Sequence, residues 1–246
     1  PERLTGRTVA VTGYLELGID LPFTVRECDG CCLAYTCPRP SMKTLLAHFY
    51  PEDYTCYRAT VADVSPNRIL QAVEGMRRRV QGRARARFYT SFFLATEPIR
   101  FLDVGCSFGL LLDCLKQRTA WELHGLEPNP RMAAVARAKG FQIEESFLRD
   151  TRHPDGFFRI VNFCHVFEHL DDVLGITEAL AKLTAPQGVH LHFVDLRDHY
   201  FKYPFEMLKF SESVWRNFLN PTSNLNRYRL NDYRHVFDAN FTQAEF

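Results

Sequence analysis

Residues 101–130 contain the arrangement that most constrains the fold of this chain. A short apolar run ends at Asp103, and a turn with Gly105 and Gly109 follows it. An apolar helical stretch then leads to a second apolar run, which ends just before Glu127. This is the order of strand, glycine turn, helix, strand and acid that a nucleotide-type ligand requires. The sequence therefore predicts an α/β unit that binds a ligand containing ribose.

The glycine turn has the spacing Asp-x-Gly-x-x-x-Gly, with Ser107 at its middle small position. Dinucleotide-binding folds instead have Gly-x-Gly-x-x-Gly, which brings a helix N-terminus against a pyrophosphate. Phe108 would crowd that approach, and Asp103 would repel a phosphate but attract an ammonium group. The turn therefore favours a cationic amino-acid moiety. Glu127 lies 22 residues after Gly105, where a carboxylate can accept hydrogen bonds from both ribose hydroxyls.

Apolar runs and helical periodicities alternate from residue 98 onward. We predict strands at 100–104, 121–126, 141–144, 159–165 and 188–195, and helices at 108–117, 130–139, 171–184 and 211–219. Such alternation is typical of parallel strands with helices on both faces. The predicted fold class is therefore α/β, with a Rossmann-like, doubly wound and mostly parallel sheet. Gly140 and Gly188 follow predicted helices, where a left-handed cap is expected.

A further helix is predicted at residues 66–96, as a connector to the α/β region. Ile69, Val73, Met76 and Val80 recur at helical spacing. Arginines make the stretch basic: Arg77, Arg78, Arg79, Arg83, Arg85 and Arg87. We interpret these arginines as a solvated helix face, and the alternative is a surface for an anionic substrate or partner.

The composition gives no sign of a membrane protein, a secreted protein or a nucleic-acid-binding protein. Apolar residues at 46% and charged residues at 24% are ordinary for a soluble globular chain of 246 residues. The formal net charge of +1 gives no argument for nucleic acid binding. No apolar stretch approaches the roughly 20 residues of a membrane span, and no apolar signal core opens the chain. Cys106 and Cys164 lie in places that suit reduced thiols, so we expect a cytoplasmic location and no membrane partner.

Three ordered motifs carry a family resemblance: Phe101-Leu-Asp-Val-Gly-Cys-Ser-Phe-Gly, Gly125-Leu-Glu-Pro-Asn-Pro and Val161-Asn-Phe-Cys-His-Val-Phe-Glu-His-Leu170. Over residues 98–195 the chain resembles the class I S-adenosylmethionine-dependent methyltransferases. The resemblance implies that the glycine turn holds the methionine part of S-adenosylmethionine, that Glu127 holds its ribose, and that the end of the fourth strand lines the sulfonium. The cofactor-binding residues it implies are Asp103, Gly105, Cys106, Gly109, Glu127, Pro128, Cys164 and His165. In this family an acid or small polar residue after the third strand often contacts the adenine, and residues 145–147 occupy that place.

Polar clusters follow the fourth and fifth predicted strands, and ligands of parallel sheets lie beyond the carboxyl ends of the strands. His169 and His199 are the candidate catalytic bases, because imidazole titrates near neutral pH. Arg197 and Tyr200 lie beside His199 in the sequence and join the candidate catalytic set. A structural role is the alternative for His169, since Glu-His-Leu is common to methyltransferases of this type. An exposed surface charge is the alternative for Arg197.

Residues 195–235 are interpreted as an insertion that shapes an acceptor pocket, because polar and aromatic groups are dense in this segment. The segment is similar to parts of bacterial methyltransferases of polysaccharide and secondary-metabolite pathways. We therefore expect a small-molecule acceptor: a sugar, a nucleotide-linked sugar or a natural-product intermediate. Methylation of RNA or protein, and a non-catalytic cofactor-binding relative, are the alternatives. The family usually ends in an antiparallel pair of strands, of which the sequence before Phe246 predicts at most one.

The predicted organisation is a small Cys-containing module at 1–60, the helical connector at 61–97, and the methyltransferase domain at 98–246. Within the module, Cys28-x-x-Cys31 is half of a zinc ribbon, which needs two such pairs. Residues 23–54 resemble the end of the zinc-binding module of sugar C-methyltransferases, which begins with an earlier Cys pair. No earlier Cys precedes Cys28 in this sequence. We therefore do not expect zinc, whose nearest ligands would be Cys28, Cys31 and Cys37.

Overall fold

The computed structural model describes residues 68–170, 172–197, 203–219 and 225–245, together with the backbone of three strands nearer the N-terminus. The chain divides into two compact units. Residues 1–51 and 197–227 form the first unit, and residues 52–196 and 228–246 form the second.

The first unit contains an antiparallel sheet of strands β1 (Gly6–Tyr14), β2 (Ile19–Cys28) and β3 (Ala34–Cys37), in that order. Cys28 and Cys37 are the last residues of β2 and β3. The side chains of these two cysteines lie outside the described residues, and so does all of Cys31.

The first unit also contains the helix predicted at 211–219. It is an α-helix at Glu212–Val214 that continues as a π-helical turn at Trp215–Leu219. The Ser211 side chain caps it by accepting the Val214 N–H at 3.2 Å. Trp215 is buried against Met207 and Leu225, and its indole N–H donates to the Leu225 carbonyl at 3.0 Å.

The second unit contains a parallel sheet of five strands. They are β4 (Arg100–Val104), β5 (Glu122–Leu126), β6 (Gln142–Glu144), β7 (Phe158–Cys164) and β8 (Thr184–Phe193). Their spatial order is β6-β5-β4-β7-β8, and every pair is parallel. The predicted α/β class with a parallel, Rossmann-like sheet is confirmed.

Five helices belong to the second unit in the described part of the chain. They are α1 (Arg68–Phe92), α2 (Leu110–Lys116), α3 (Pro130–Ala138), α4 (Val173–Leu183) and α5 (Leu230–Asn240). The sequence analysis predicts the first four within a few residues but does not predict α5, which begins inside the segment interpreted as an insertion. None of the helices among the described residues is long and apolar enough to cross a membrane.

Helices cover both faces of the sheet. Successive residues of its central strands point to opposite faces, so each strand contributes to both layers of the core. Phe101 and Ile160 pack with the buried residues of α1 and α2. Leu102 and Val161 pack with those of α4 and α5, including Tyr233 and Phe237. Among the described residues, both faces of the sheet are therefore packed against helices.

Helix α1 packs on α2 through a face that the sequence analysis did not single out. Ala86 and Tyr89 are fully buried, and a Cβ on Gly82 would lie 2.9 Å from the Cys114 sulfur. The apolar residues Ile69, Val73, Met76 and Val80 are instead 60–73% exposed. Small and aromatic residues near the end of the helix therefore anchor it.

One of the two predicted glycine caps is wrong. Gly140 follows α3 with φ +86°, as a left-handed cap requires. Strand β8 begins at Thr184, directly after α4, so Gly188 lies within the strand. The left-handed residue in this stretch is Gln187, with φ +61°.

Candidate active site

The candidate site lies at the carboxyl ends of the central strands of the second unit. Chain order reverses between β4 and β7, so the connections that leave these two strands run to opposite sides. A crevice at such a switch point is the usual ligand site of an open α/β sheet. The turn after β4, the residues after β5 and the residues after β7 all meet at this edge.

The turn after β4 has the backbone conformation that its glycines permit. Gly105 and Gly109 have φ +71° and +74°, and Ser107 between them has φ +50°. The Gly105 N–H donates to the Leu126 carbonyl at 2.8 Å, which ties the turn to the end of β5. A Cβ on Gly105 would lie 2.8 Å from the Val166 Cγ2 atom. The turn therefore requires a residue without a side chain at this position.

Glu127 joins the turn to the loop after β5. Its side chain is 4% exposed, and Oε2 accepts the Ser107 N–H at 2.8 Å while Oε1 accepts the Asn129 N–H at 2.8 Å. Burial raises the pKa of Glu127, and the two backbone hydrogen bonds oppose that shift. A carboxylate has about four lone-pair sites, so each oxygen keeps one for a ligand.

Asp103 ends a buried chain of polar groups that runs from Tyr89 of α1 through Asn162 of β7. The Tyr89 hydroxyl donates to Asn162 Oδ1, and Asn162 Nδ2 donates to Asp103 Oδ1 at 2.6 Å. Burial raises the pKa of Asp103 to about 7, against the opposing effects of the Asn162 hydrogen bond and Arg85. Burial also raises the pKa of the Tyr89 hydroxyl, so this group stays a donor. Asp103 is therefore poised between its neutral and charged forms near neutral pH.

Tyr89 and Asn162 are site residues that the sequence reasoning missed. A signal for Asn162 was present, because it is a lone amide within the apolar run of β7. Strand register places it directly beside Asp103. Tyr89 carried no comparable signal, because its partner is 73 residues away in the sequence.

The residues after β7 form a second charged cluster. His165 has φ +57°, its side chain is 53% exposed, and its Nδ1 lies 3.3 Å from Glu168 Oε1. Glu168 is 2% exposed, and its Oε1 also accepts the Asp195 N–H at 3.3 Å. Arg85 from α1 donates to His165 Nε2 at 3.4 Å. The cluster therefore holds an imidazole between a buried carboxylate and a guanidinium.

Other residues predicted for the cofactor lie close to these groups. Cys106 is buried in the glycine turn, and burial raises the pKa of its thiol. Cys164 ends β7 half-buried, and burial raises the pKa of its thiol to about 11. Both thiols are therefore protonated near neutral pH. Pro128 follows Glu127 and is partly exposed.

An open cleft of about 380 Å³ lies beside Pro128, in the place expected for the adenine. It is lined by Pro128, Glu144, Glu145, Ser146, Phe147, Asp150 and Arg152. Glu144 is engaged by the Thr151 hydroxyl at 2.8 Å, whereas the Phe147 ring is 42% exposed. The cleft thus offers an aromatic face beside polar groups.

Of the residues predicted for catalysis, His169 and Arg197 belong to the part of the chain that the structure describes. His169 is half-buried in a 3-10 turn at Phe167–His169, and its backbone N–H donates to the Val166 carbonyl at 2.9 Å. Arg197 is exposed and belongs to the first unit. His199 and Tyr200 lie outside the described residues.

In the part of the chain that the structure describes, no three His, Cys, Asp or Glu side chains are arranged to hold a metal ion.

Comparison with known proteins identifies relatives of this arrangement. A model of a methyltransferase domain matches residues 76–244. The ubiquinone biosynthesis O-methyltransferase of Alkalilimnicola ehrlichii is 29% identical over 150 residues, which are 54% of this chain and 59% of that protein. The chain thus matches about three fifths of the length of this curated relative.

Two solved structures share the fold at low sequence identity. One is a chain of the complex between the Haloferax volcanii Trm112 methyltransferase activator and a proposed methyltransferase, with 19% identity, a TM-score of 0.51, and coverage of 68% of this chain and 70% of that one. The other is a proposed methyltransferase from Bacillus halodurans, with 12% identity, a TM-score of 0.50, and coverage of 64% and 67%.

Proposed function

The chain belongs to the methyltransferase-domain family, and on that premise we propose that it transfers a methyl group from S-adenosylmethionine to a hydroxyl of a small molecule. The observation that carries this proposal is the pair of buried carboxylates, Asp103 and Glu127, which flank the glycine turn at the switch point of the sheet. The named activity of the 29% identical relative, O-methylation in ubiquinone biosynthesis, supports a hydroxyl as the acceptor.

The groups at this edge fit the parts of S-adenosylmethionine. Asp103 in its charged form attracts the ammonium group, and the two free lone pairs of Glu127 can accept the ribose hydroxyls. Gly105 supplies the positive φ of the turn, at a position where a Cβ would meet the Val166 side chain. The cleft beside Pro128 offers the Phe147 ring to the adenine. When bound, S-adenosylmethionine supplies a methyl group on a positively charged sulfur.

The remaining work of the chain is to position and deprotonate the acceptor. Methyl transfer needs the acceptor atom in line with the methyl group, and a hydroxyl acceptor also needs a base. The cluster after β7 lies next to the turn that holds the cofactor and contains an exposed imidazole, His165. The acceptor classes supported by the sequence are a sugar, a nucleotide-linked sugar and a natural-product intermediate.

A second candidate function is methylation of RNA or protein. It is supported by Arg79, Arg83 and Arg87, which are exposed on α1. The formal net charge of +1 argues against a nucleic acid surface. The two candidates differ in the acceptor alone and share the cofactor site.

Calorimetric titration with S-adenosylmethionine, followed by mass spectrometry of acceptor mixtures, tests the proposal. We expect saturable binding of S-adenosylmethionine and the gain of one methyl group by a hydroxyl compound. Absence of binding at cofactor concentrations of about 1 mM would correspond to an affinity weaker than about −4 kcal/mol and would refute the cofactor assignment. Methylation of RNA or protein, with none of small molecules, would favour the second candidate.

A further inference from the structure

We propose that His165, oriented by Glu168, is the general base of the transfer, and that Arg85 beside it favours an acceptor with a phenol-type hydroxyl. This inference rests on the proposed function and narrows its three acceptor classes to a natural-product intermediate with a phenol-type hydroxyl, against the two sugar classes. It assigns the role of base to His165, which the sequence analysis places with the cofactor, instead of to His169 or His199.

The contacts of the His165 ring fix its tautomer. A guanidinium can only donate hydrogen bonds, so the contact of Arg85 with Nε2 at 3.4 Å makes Nε2 the acceptor. The proton of the neutral ring is then on Nδ1, which lies 3.3 Å from Glu168 Oε1. An imidazole with its Nδ1–H toward a carboxylate, and with only the one long hydrogen bond from Arg85 to its Nε2 lone pair among the described residues, is oriented as a general base.

Protonation of the His165 ring stabilises the buried carboxylate of Glu168. Its side chain is 2% exposed, and Oε2 has no hydrogen-bond partner among the described residues. A buried carboxylate with an unsatisfied oxygen is costly unless a positive charge is near. A proton on Nε2 would place an imidazolium against this carboxylate, which stabilises the protonated base.

Arg85 favours an acceptor whose hydroxyl is acidic enough for His165 to deprotonate. The contact of Arg85 with Nε2 is long, so an incoming hydroxyl can displace it. The guanidinium then lies beside the developing oxyanion and stabilises it. A phenol, with a pKa of about 10, lies within a few units of imidazole at about 6.5. A sugar hydroxyl is a much weaker acid than a phenol, so the same base would deprotonate it far less readily.

The surroundings of Arg85 are aromatic, which suits a phenol. Its guanidinium lies 5.8 Å from the centre of the Phe193 ring. Phe88 makes an edge contact with Phe193 at 5.8 Å between ring centres and is 42% exposed. Aromatic rings in such offset arrangements attract one another by roughly 0.5–1.5 kcal/mol beyond area burial. The exposed ring of Phe88 therefore offers a surface on which an aromatic acceptor can pack.

The proposed step balances without a further reactant. The O–H bond of the acceptor breaks, and its proton forms an N–H bond at Nε2 of His165. The electron pair left on oxygen forms the new C–O bond to the methyl group, and the pair of the broken C–S bond stays on sulfur. The imidazolium then returns its proton to solvent, because the ring is half exposed.

Nitrogen-15 NMR of histidine-labelled protein tests the dyad without any cofactor or acceptor. The His165 signals, assigned by their loss in His165→Gln, should show the Nδ1–H tautomer. Among the described residues, Glu168 from the same turn and Arg85 from α1 contact this ring. Glu168→Gln should reduce the population of the Nδ1–H tautomer, because the Gln amide can donate to Nδ1. Arg85→Gln should also reduce it, because Nε2 then no longer has to accept from a guanidinium.

Glu178→Gln, at an exposed position on α4, is the matched control and should leave the His165 tautomer unchanged. An Nε2–H tautomer in the unaltered protein, or a tautomer ratio that changes in neither variant, would overturn the proposal. Arg85→Gln keeps the test decisive if Glu168→Gln does not fold, because Arg85 is only half-buried. If the proposed function itself is wrong, the unaltered protein will not bind S-adenosylmethionine, and this result is separate from the NMR outcome.

Activity with two probes tests the acceptor class. Catechol should be methylated and methyl glucoside should not be, and comparable rates for the two would overturn the phenol assignment. His165→Gln should lower kcat with catechol at least 100-fold near pH 7. The lost rate should recover as the pH approaches about 10, where a phenol ionises without a base. A loss that is constant with pH would show that His165 only supports the structure.

Discussion

The carboxylate of Glu127 accepts the backbone N–H of Ser107 at 2.8 Å, across 20 residues of sequence. Glu127 follows β5 and Ser107 lies in the turn after β4, so this bond joins the two loops that form the candidate cofactor site. The same carboxylate accepts the Asn129 N–H, at the start of α3. Glu127 is therefore both a clamp on the glycine turn and the acceptor that we assign to the ribose.

Replacement of Glu127 should weaken S-adenosylmethionine binding at least tenfold. Glu127→Ala removes the ribose acceptor and releases the N–H groups of Ser107 and Asn129. Glu127→Gln should also bind weakly, because its amide NH₂ would face one of these two donors. Calorimetric titration measures the affinity of each variant.

Glu122→Gln is the matched control for this experiment. Glu122 lies at the other end of β5, where it is exposed and contacts His124 at 2.9 Å. We expect its cofactor affinity to stay within twofold of that of the unaltered protein. An unchanged affinity in Glu127→Ala would remove Glu127 from the site.

The local parts of this site could be predicted from the sequence, and the parts that depend on strand register could not. The glycine turn, Glu127 and the alternation of strands and helices all lie in short stretches with strong local patterns. The bond between Asn162 and Asp103 joins residues 59 positions apart and depends on the pairing of β7 with β4. No local pattern carries that information.

Helix α5 illustrates a second limit of local patterns. Its buried residues are Tyr233 and Phe237, a spacing of four in a stretch that is otherwise polar. The polar residues led to its interpretation as part of an acceptor-side insertion. The two aromatic side chains instead pack against the sheet with Phe167, where each contributes roughly 1.5–3 kcal/mol of burial.

Cofactor affinity should rise with pH through the titration of Asp103. Burial raises the pKa of Asp103 to about 7, so the carboxyl is mostly neutral below this pH and charged above it. The ammonium group of S-adenosylmethionine is attracted only to the charged form. We expect the affinity to increase about tenfold between pH 6 and pH 8. Calorimetry across this range measures it.

Asp103→Asn should bind more weakly and lose this pH dependence, because its amide does not titrate. A pH profile in Asp103→Asn that matches the unaltered protein would assign the dependence to another group. Glu127 is the nearest alternative, since burial also raises its pKa.

His192 should make the protein less stable in mild acid. Its ring stacks on Phe237 at 5.1 Å, and neither nitrogen has a hydrogen-bond partner among the described residues. Burial and the neighbouring His190 hold the pKa of His192 well below 6.5, and burial lowers that of His190 to about 4. The unfolded chain therefore binds more protons than the native one below pH 6.5. Above pH 6.5 neither histidine makes the free energy of unfolding depend on pH. Below pH 6.5 each histidine lowers the free energy of unfolding by about 1.4 kcal/mol per pH unit.

Burial raises the pKa values of Asp103 and Glu127, so these two groups make the protein more stable as the pH falls. The effect of His192 is therefore measured as the difference between a variant and the unaltered protein. His192→Phe keeps the stacking on Phe237 and removes the titrating group. The free energy of unfolding, measured by urea titration at pH 5 and pH 7.5, should depend less on acid in this variant. His235→Gln, at an exposed position on α5, should change nothing. Equal acid sensitivity in His192→Phe and the unaltered protein would contradict the prediction.

Gly105→Ala should abolish cofactor binding beyond its effect on stability. Alanine at φ +71° costs about 1–2 kcal/mol, and its Cβ would lie 2.8 Å from the Val166 Cγ2 atom. The turn must therefore shift and pull Ser107 away from Glu127.

Gly156→Ala is the matched control, because Gly156 has φ +66° but its Cβ would meet only Pro186 among the described residues, at 4.0 Å. Thermal unfolding should show that both variants lose stability from the strained backbone, while calorimetry should show lost S-adenosylmethionine binding in Gly105→Ala alone. Equal affinities in the two variants would mean that the turn after β4 does not contact the cofactor.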